Sequence, residues 1–168
     1  MSGARSAGRP LRIGVIGSGR AEGEVLALAR GVGRALAKAR AVVVCGGMGG
    51  VMRAAAEGAE QERGFVVGIL PGDDPSEAAP GVSLPMPTGM GQGRNVLVVK
   101  ASEAVVAVAG AWGTRSEAAL CMKLGVPLVG LRDELGEMFG IERFRDPDPA
   151  VARALELAQE RRRRDGSP

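Results

Sequence analysis

The sequence predicts a single α/β domain of the Rossmann-like, doubly wound class, with a parallel sheet of five to six strands and helices on both faces. Short apolar runs, each as long as a buried strand, alternate along the chain with segments of helical periodicity. Several runs end in glycine-rich turns, which is typical of strands that pass into a helix beside a parallel sheet. The strand-like runs lie at 11–16, 41–45, 65–70, 104–109 and 126–131, with 141–144 as a candidate sixth strand at the edge.

The length of 168 residues, with 45% hydrophobic residues, indicates one ordinary domain. We expect a flexible N-terminal arm over 1–10, the domain over 11–160 and a solvated basic tail over 161–168. The formal net charge of +3 lies at these ends. When the six terminal arginines and Asp165 are left out, 16 basic residues remain against 18 acidic ones, so the body of the domain is close to neutral.

Three further features bear on the helices and loops. Gly125 follows an apolar helical segment and is a candidate C-cap, and Asp148-Pro149 is typical of a cap and first-turn proline that open a final helix. The stretch from Pro71 to Met90 is rich in proline and glycine, and it is predicted to be one long irregular loop.

The composition excludes several kinds of chemistry. The chain has no histidine, so Ser-His and Cys-His nucleophiles are impossible, and acid–base catalysis would need carboxylates, lysine or an arginine-assisted water. Aromatic residues are 2% of the chain, too few for a base-stacking platform, so we expect no nucleic-acid partner. Cys45 and Cys121 lie far apart and form no C-x-x-C pair, which predicts neither a disulfide framework nor a metal site. With no membrane span or signal peptide in view, a cytoplasmic protein is expected.

The junction from Val105 to Glu117 is the most informative segment. An apolar strand-like run leads through Gly110 and Gly113 to Thr114 and Glu117 at the predicted start of a helix. Unpaired amides and the helix dipole at such a start attract an anion, which predicts a phosphate site. The spacing Thr114-x-x-Glu117 is equally typical of a capping box, in which the two side chains bond each other's backbone amides.

Two more glycine-rich turns favour the ligand site over the cap. One follows Cys45 as Gly46-Gly47-Met48-Gly49-Gly50, and the other is Gly17-Ser18-Gly19. The latter lacks both the spacing and the downstream acidic residue of a dinucleotide fingerprint, so no NAD site is predicted. Because such turns share one edge of a parallel sheet, we expect them to converge on a crevice that binds a phosphate-bearing small molecule.

A fourth segment, Thr88-Gly89 followed by Arg94-Asn95, precedes another apolar helix. An arginine at a helix start is unfavourable against the helix dipole unless it binds an anion, and its planar guanidinium suits phosphate. The alternative is a surface arginine paired with an exposed carboxylate. The full set of predicted ligand-binding residues is Gly17, Ser18, Gly46, Gly47, Met48, Gly49, Gly50, Thr88, Gly89, Arg94, Asn95, Gly110, Gly113 and Thr114.

In this order and on this scaffold, the four motifs resemble the LOG-like superfamily, formerly called "lysine decarboxylase-like", over nearly all of 11–160. That superfamily includes the LONELY GUY phosphoribohydrolases and the molybdenum cofactor carrier proteins, and the Thr-Gly and Arg-Asn motifs look more like the short, carrier-type branch. A pyridoxal phosphate decarboxylase is not expected, because Lys38, Lys100 and Lys123 all lie away from the glycine-rich turns.

The resemblance implies two functions of different classes. The first is a carrier or sensor of a phosphorylated ligand, such as a nucleotide or the molybdenum cofactor, with no other cofactor required. The second is a nucleoside 5′-monophosphate phosphoribohydrolase, in which Arg94 and Glu117 match the catalytic pair. Asn95 stands where that branch has a lysine, and 109–111 (Ala-Gly-Ala) stands where it has Pro-Gly-Gly, so the carrier is favoured. The apolar helices predict a homodimer or higher homo-oligomer.

Overall fold

In the computed structural model, which describes residues 8–110, 112–132 and 135–166, seven parallel strands form one sheet. The strands are β1 (Arg12–Gly17), β2 (Val42–Cys45), β3 (Phe65–Leu70), β4 (Leu84–Pro87), β5 (Ala104–Val108), β6 (Leu128–Leu131) and β7 (Arg143–Phe144). The helices are α1 (Glu24–Lys38), α2 (Val51–Gln61), α3 (Asn95–Ala101), α4 (Trp112–Leu124), α5 (Leu135–Phe139) and α6 (Pro147–Arg164). The predicted fold class is therefore confirmed, but the predicted strand number of five to six is too low.

Helices cover both faces of the sheet. On one side α1, α2 and α6 pack over a cluster that includes Ile13 and Val15 of β1, and on the other side α3, α4 and α5 pack over a cluster that includes Ile16. Successive side chains of a strand point to opposite faces, so each central strand contributes to both clusters. This explains why these strands read as continuous apolar runs. None of the described helices is long and apolar enough to cross a membrane.

The strand that the sequence did not predict is β4, which lies inside the long stretch assigned to an irregular loop. It pairs with β3 alone and forms one edge of the sheet. Pro85 and Pro87 have no amide hydrogen to donate, which excludes a central position and is tolerated at an edge. The predicted sixth strand is present at the opposite edge as β7.

The ends of two helices test the predicted caps. Gly125 follows α4 with a φ of 64°, which confirms it as the glycine that ends this helix. The start of α6 is different from the prediction, because Asp146 and Pro147 open the helix rather than Asp148 and Pro149. The sequence offers two Asp-Pro pairs in succession. Pro147 is the residue that packs against Gly31 of α1, so a tertiary contact favours the earlier pair.

The basic end of the chain is part of the fold. Arg161 to Arg164 form the last turn of α6. The Arg162 guanidinium donates to both carboxylate oxygens of the buried Glu103, at 2.8 and 2.7 Å, and to the backbone carbonyls of Arg9 and Pro10. Arg162 is therefore part of the packed structure and not of a solvated tail, whereas Arg163 and Arg164 of the same turn are exposed. Residues 1–7 of the predicted arm and 167–168 of the predicted tail lie outside the described residues.

The strand order β4-β3-β2-β1-β5-β6-β7 creates a switch point at β1. From β1 the chain builds the sheet outward through β2, β3 and β4, and it then returns to place β5 on the other side of β1. The connections that follow β1 and β5 therefore lead away in different directions. Ligand crevices of open α/β sheets lie at the carboxyl edge of such a switch point.

Candidate functional site

A crevice of about 420 Å³ lies at this switch point. It is formed by four connections, namely the turns after β1, β2 and β5 and the short 3-10 turn Gly91–Arg94 that precedes α3. The lining residues are Gly17, Ser18, Gly19, Arg20, Met48, Met52, Pro71, Gln92, Arg94, Asn95, Gly113, Thr114 and Glu117. Three strand-to-helix turns thus converge on one cavity, as the sequence predicted.

The structure brings part of the predicted site together at the crevice and places the rest beside it. The predicted residues that line the crevice are Gly17, Ser18, Met48, Arg94, Asn95, Gly113, Thr114 and Glu117. Those that do not line it are Gly46, Gly47, Gly49, Gly50, Thr88, Gly89 and Gly110. Gly19, of the predicted glycine-rich turn, also lines the crevice. Sequence reasoning missed Arg20, Met52, Pro71 and Gln92, although Arg20 directly follows that turn and is a cation.

The glycines after β2 do not line the crevice, but they allow its lining residues to pack closely. A Cβ atom at Gly46 would lie 2.5 Å from Nη1 of Arg94 and 2.6 Å from the sulfur of Met52, so a larger residue there would displace these two side chains from their present positions. Gly50 has a φ of 61°, and a Cβ there would lie 2.2 Å from the carbonyl oxygen of Ser18. These residues let the turns after β1 and β2 approach each other closely.

Thr88 and Gly89 hold the long loop in place. The Thr88 hydroxyl donates to the carbonyl of Leu70 at 2.7 Å and accepts from the amide of Met90 at 3.2 Å. Gly89 has a φ of 62°, which favours glycine. The segment that carries Arg94 is therefore anchored to the end of β3, and the hydroxyl of Thr88 already has two partners within the protein.

Arg94 is buried, with 6% of its surface exposed, and it lines the crevice. Its Nη1 donates to Oδ1 of Asn95 at 2.7 Å and lies 3.9 Å from Oε1 of Glu117. Its Nε has no hydrogen-bond partner in the described structure. Burial lowers the pKa of Arg94. The alternative of a surface arginine paired with an exposed carboxylate is therefore wrong.

Glu117 is the carboxylate opposite Arg94, and it is 8% exposed. Burial raises the pKa of Glu117 from 4.5 to about 7, and the opposing attraction of Arg94 is the smaller effect. A carboxyl group with a pKa near neutrality can hold or release a proton in a ligand crevice. Its neighbours Cys45 and Cys121 do not supply a nucleophile, because burial raises the pKa of their thiols to about 11 and about 12.

Thr114 does not form the capping box that its spacing with Glu117 allows. It is the third residue of α4 rather than the residue before the helix, and its hydroxyl is buried without a hydrogen-bond partner in the described structure. Four of the residues that line the crevice, Arg94, Asn95, Thr114 and Glu117, are therefore buried polar residues, and an arginine nitrogen and a threonine hydroxyl among them have no partner in the described structure. Such groups carry a cost unless a ligand or water satisfies them.

The turn after β5 carries backbone strain beside the crevice. Ala109 has a φ of 40°, a conformation that alanine adopts only at a cost, and it comes directly before Gly110. Ala111, the other departure from the Pro-Gly-Gly pattern, lies outside the described residues. Among the residues that the structure describes, no group of histidine, cysteine, aspartate and glutamate is arranged to hold a metal ion.

Comparison with known proteins identifies the family. Residues 10–158 match the SLOG cluster4 family. The chain belongs to this family. An uncharacterized protein of Archaeoglobus fulgidus is 38% identical over 143 residues, which cover 84% of this chain and 92% of the archaeal protein. This family assignment confirms the resemblance to the LOG-like superfamily that the sequence motifs indicated.

Solved structures of similar proteins cover nearly the whole fold. The molybdenum cofactor binding protein from the phototrophic bacterium Rippkaea orientalis has a TM-score of 0.85 and 30% identity, covering 89% of this chain and 98% of that one. The Moco carrier protein from Chlamydomonas reinhardtii has a TM-score of 0.81 and 29% identity, covering 90% and 99%. DNA processing protein A from Helicobacter pylori, whose structure concerns single-stranded DNA binding, has a TM-score of 0.70 and 25% identity, covering 88% and 81%.

Proposed function

We propose that this protein binds a phosphate-bearing small molecule in the crevice and serves as its carrier or sensor. The observation that carries the proposal is the pair of buried, unpaired polar atoms, Nε of Arg94 and Oγ1 of Thr114, on two residues that line one cavity. An anionic oxygen is an acceptor for both groups. Each buried polar atom without a partner costs about 1–3 kcal/mol, so a ligand that satisfies both is favoured.

The crevice lining combines two kinds of chemistry. The backbone turns Gly17–Arg20 and the first turn of α4 suit a phosphate group. Met48, Met52 and Pro71 supply apolar surface. Methionine side chains adapt to the outline of a flat ring. The arrangement therefore fits a ligand that joins a heterocycle to a phosphate.

Two candidate ligands meet this description, the molybdenum cofactor and a nucleotide. The similarity in fold and sequence to a molybdenum cofactor binding protein and a Moco carrier protein favours the former. In this proposal the cofactor is cargo. Arg94, Thr114 and the glycine turns hold its phosphate-bearing portion, and Met48 with Met52 contacts its ring.

The phosphoribohydrolase is the second candidate, and the proximity of Glu117 to Arg94 is the observation that favours it. In that reaction the bond from ribose to base breaks through an oxocarbenium-like state, which the Glu117 carboxylate would stabilise while it orients the attacking water. The pKa of about 7 leaves a substantial fraction of Glu117 ionised at neutral pH. Asn95 accepts a hydrogen bond from Arg94 and adds no charge to the site, so the carrier is the preferred proposal.

Native mass spectrometry of the purified protein identifies a retained ligand directly. Thermal shift with a panel of nucleoside monophosphates, dinucleotides and molybdopterin precursors tests binding, and a panel that never raises the melting temperature contradicts the proposal. Arg94→Ala should weaken binding about 10- to 100-fold, because it removes a charge-assisted pair. Arg164→Ala, on an exposed side chain of α6, is the matched control and should bind as the wild type does.

Chromatographic detection of free base from nucleoside monophosphates separates the two functions. The carrier releases no base, whether or not Glu117 is present. The enzyme releases base, and Glu117→Gln abolishes the release while the crevice still binds ligand. Wild-type protein that releases base in an Arg94- and Glu117-dependent way would overturn the preference for a carrier.

Two proposals about partners follow. A second copy of the chain covers the side of α3 and α4 that exposes Leu97 and Met122, and light scattering should give twice the mass of the chain. No nucleic acid binds at the crevice. Because a DNA-binding protein shares the fold, a fluorescent single-stranded oligonucleotide is the direct test, and saturable binding that AMP displaces would contradict this proposal.

A further inference from the structure

Arg20 is a cation of the crevice to which the proposed function gives no role. It directly follows the turn Gly17-Ser18-Gly19, lines the crevice and is exposed to solvent. Its backbone amide donates to the Ser18 hydroxyl, but its guanidinium has no hydrogen bond or ion pair with any residue that the structure describes. All the N–H donors of this side chain are therefore available to a ligand.

Hydrogen bonds fix the backbone of the turn that carries Arg20. The Ser18 carbonyl accepts from the amide of Val51, the first residue of α2, at 3.0 Å, and the Ser18 hydroxyl oxygen accepts from the Arg20 amide at 3.1 Å. The proton of that hydroxyl has no acceptor among the described residues. Because the backbone is held in place before a ligand arrives, binding by these side chains orders little of the chain.

The charges that line the crevice do not cancel. They belong to Arg20, Arg94 and Glu117. Glu117 lies 3.9 Å from Arg94 and opposes its charge, whereas Arg20 has no such partner in the described structure. Burial also raises the pKa of Glu117 to about 7, so part of the population carries no negative charge at neutral pH. The crevice therefore has an excess of positive charge, which attracts a multiply charged anion.

The groups that can bind an anion differ in burial. Arg94 and Thr114 are 6% and 1% exposed and hold the two unpaired buried atoms, whereas Arg20 is exposed. They also lie on different connections, because Arg20 follows β1, Arg94 precedes α3 and Thr114 lies in the first turn of α4. A phosphate that binds the buried pair has other oxygen atoms that the pair does not bind. A second phosphate linked through one of these atoms fits the same crevice of about 420 Å³.

We propose that the crevice prefers a ligand with a diphosphate group to one with a single phosphate. Arg94 and Thr114 bind the first phosphate. Arg20 and the Ser18 hydroxyl bind the second, and the planar fork of the Arg20 guanidinium suits two oxygen atoms of one phosphate. The inference rests on the proposed function, because it specifies the anionic group that the same crevice binds.

Calorimetry with AMP and ADP, in buffer without divalent cations, tests the proposal. The wild type should bind ADP about 10- to 100-fold more tightly than AMP, because Arg20 adds charge-assisted hydrogen bonds. Arg20→Ala should bind both nucleotides with the AMP affinity of the wild type, and Arg20→Lys should keep part of the preference for ADP. Arg163→Ala, on an exposed position of α6, is the matched control and should keep all of it.

Adenosine 3′,5′-bisphosphate separates a linked diphosphate from additional charge alone. Its two phosphates lie on different atoms of the ribose, so the wild type should bind it no more tightly than AMP. Equal affinities for this compound and ADP, or for ADP and AMP, overturn the inference and leave the binding of one phosphate in the crevice intact.

The Arg20→Ala variant gives a further decisive outcome. If it loses AMP affinity and ADP affinity by the same factor, Arg20 binds the same phosphate as Arg94, and the inference is overturned. Binding of neither nucleotide to the wild type also overturns it. The thermal-shift panel then decides separately whether the proposed function stands.

Discussion

Substitution of Glu117 by glutamine should change how the stability of the protein depends on pH. Glu117 is buried beside Arg94, and its pKa rises from 4.5 to about 7 because burial disfavours the charged form. Glutamine has nearly the same shape and never ionises. The difference in unfolding free energy between the wild type and Glu117→Gln therefore isolates the cost of this one ionisation.

The sign and size follow from the two pKa values. Below pH 4.5 the carboxyl group is protonated in the folded and unfolded chains, and the full stability is present. Between pH 4.5 and 7 the unfolded chain loses the proton while the folded protein keeps it, so the wild type loses stability until the pH passes the folded-state pKa. A difference of roughly 2.5 pKa units at about 1.4 kcal/mol each gives about 3 kcal/mol. Glu117→Gln should avoid this loss.

Urea unfolding at pH 5 and pH 8, followed by the far-ultraviolet circular dichroism of the helices, measures the effect. The advantage of Glu117→Gln over the wild type should grow by about 2–3 kcal/mol between the two pH values. Glu60→Gln, on an exposed position of α2, is the control and should follow the wild type. If the unfolding free energies of wild type and Glu117→Gln change in parallel with pH, burial of an ionisable Glu117 is refuted.

Three more substitutions test the site and its support. Thr114→Val keeps the side-chain shape and removes an unpaired hydroxyl, so urea unfolding should show unchanged stability or a gain of about 1 kcal/mol. Calorimetry should show an AMP affinity about tenfold lower. A clear loss of stability would contradict this prediction. Gly46→Ala places a methyl group 2.5 Å from Arg94 and should abolish AMP binding with a native circular dichroism spectrum, and normal affinity would refute the packing argument. Arg162→Ala leaves Glu103 without its bidentate partner and should cost about 2 kcal/mol in urea unfolding, whereas a solvated tail predicts no change.

The regular elements were predictable because their signals are local. Apolar runs such as 104–109 and 126–131 lie in central strands that are buried on both faces, and this requires continuous hydrophobicity. The strand β4 was not predictable from propensity. Its two prolines argue against a strand, and only its position at the edge, where one side needs no hydrogen bonds, makes the pairing possible.

The candidate site divides in the same way. The glycine-rich turns and the pair Arg94 and Glu117 were recognisable, because their residue types restrict backbone conformation or carry charge. The separate role of each site residue could not be recognised from the sequence. The Thr88 hydroxyl donates a hydrogen bond to the carbonyl of Leu70, whereas the Thr114 hydroxyl has no partner in the described structure. No local sequence pattern distinguishes the two threonines.

The sequence by itself determined the fold class, the position of the turns that meet at the crevice and the absence of histidine chemistry. Only the tertiary structure decided that Arg94 is buried beside Glu117 and that Arg162 forms an ion pair with Glu103. Burial, pairing and a shifted pKa depend on which segments meet across the sheet. These contacts follow from the strand order, which brings together residues that are far apart in the chain. Contacts of this kind produce no periodic pattern in the sequence, so the sequence does not reveal them.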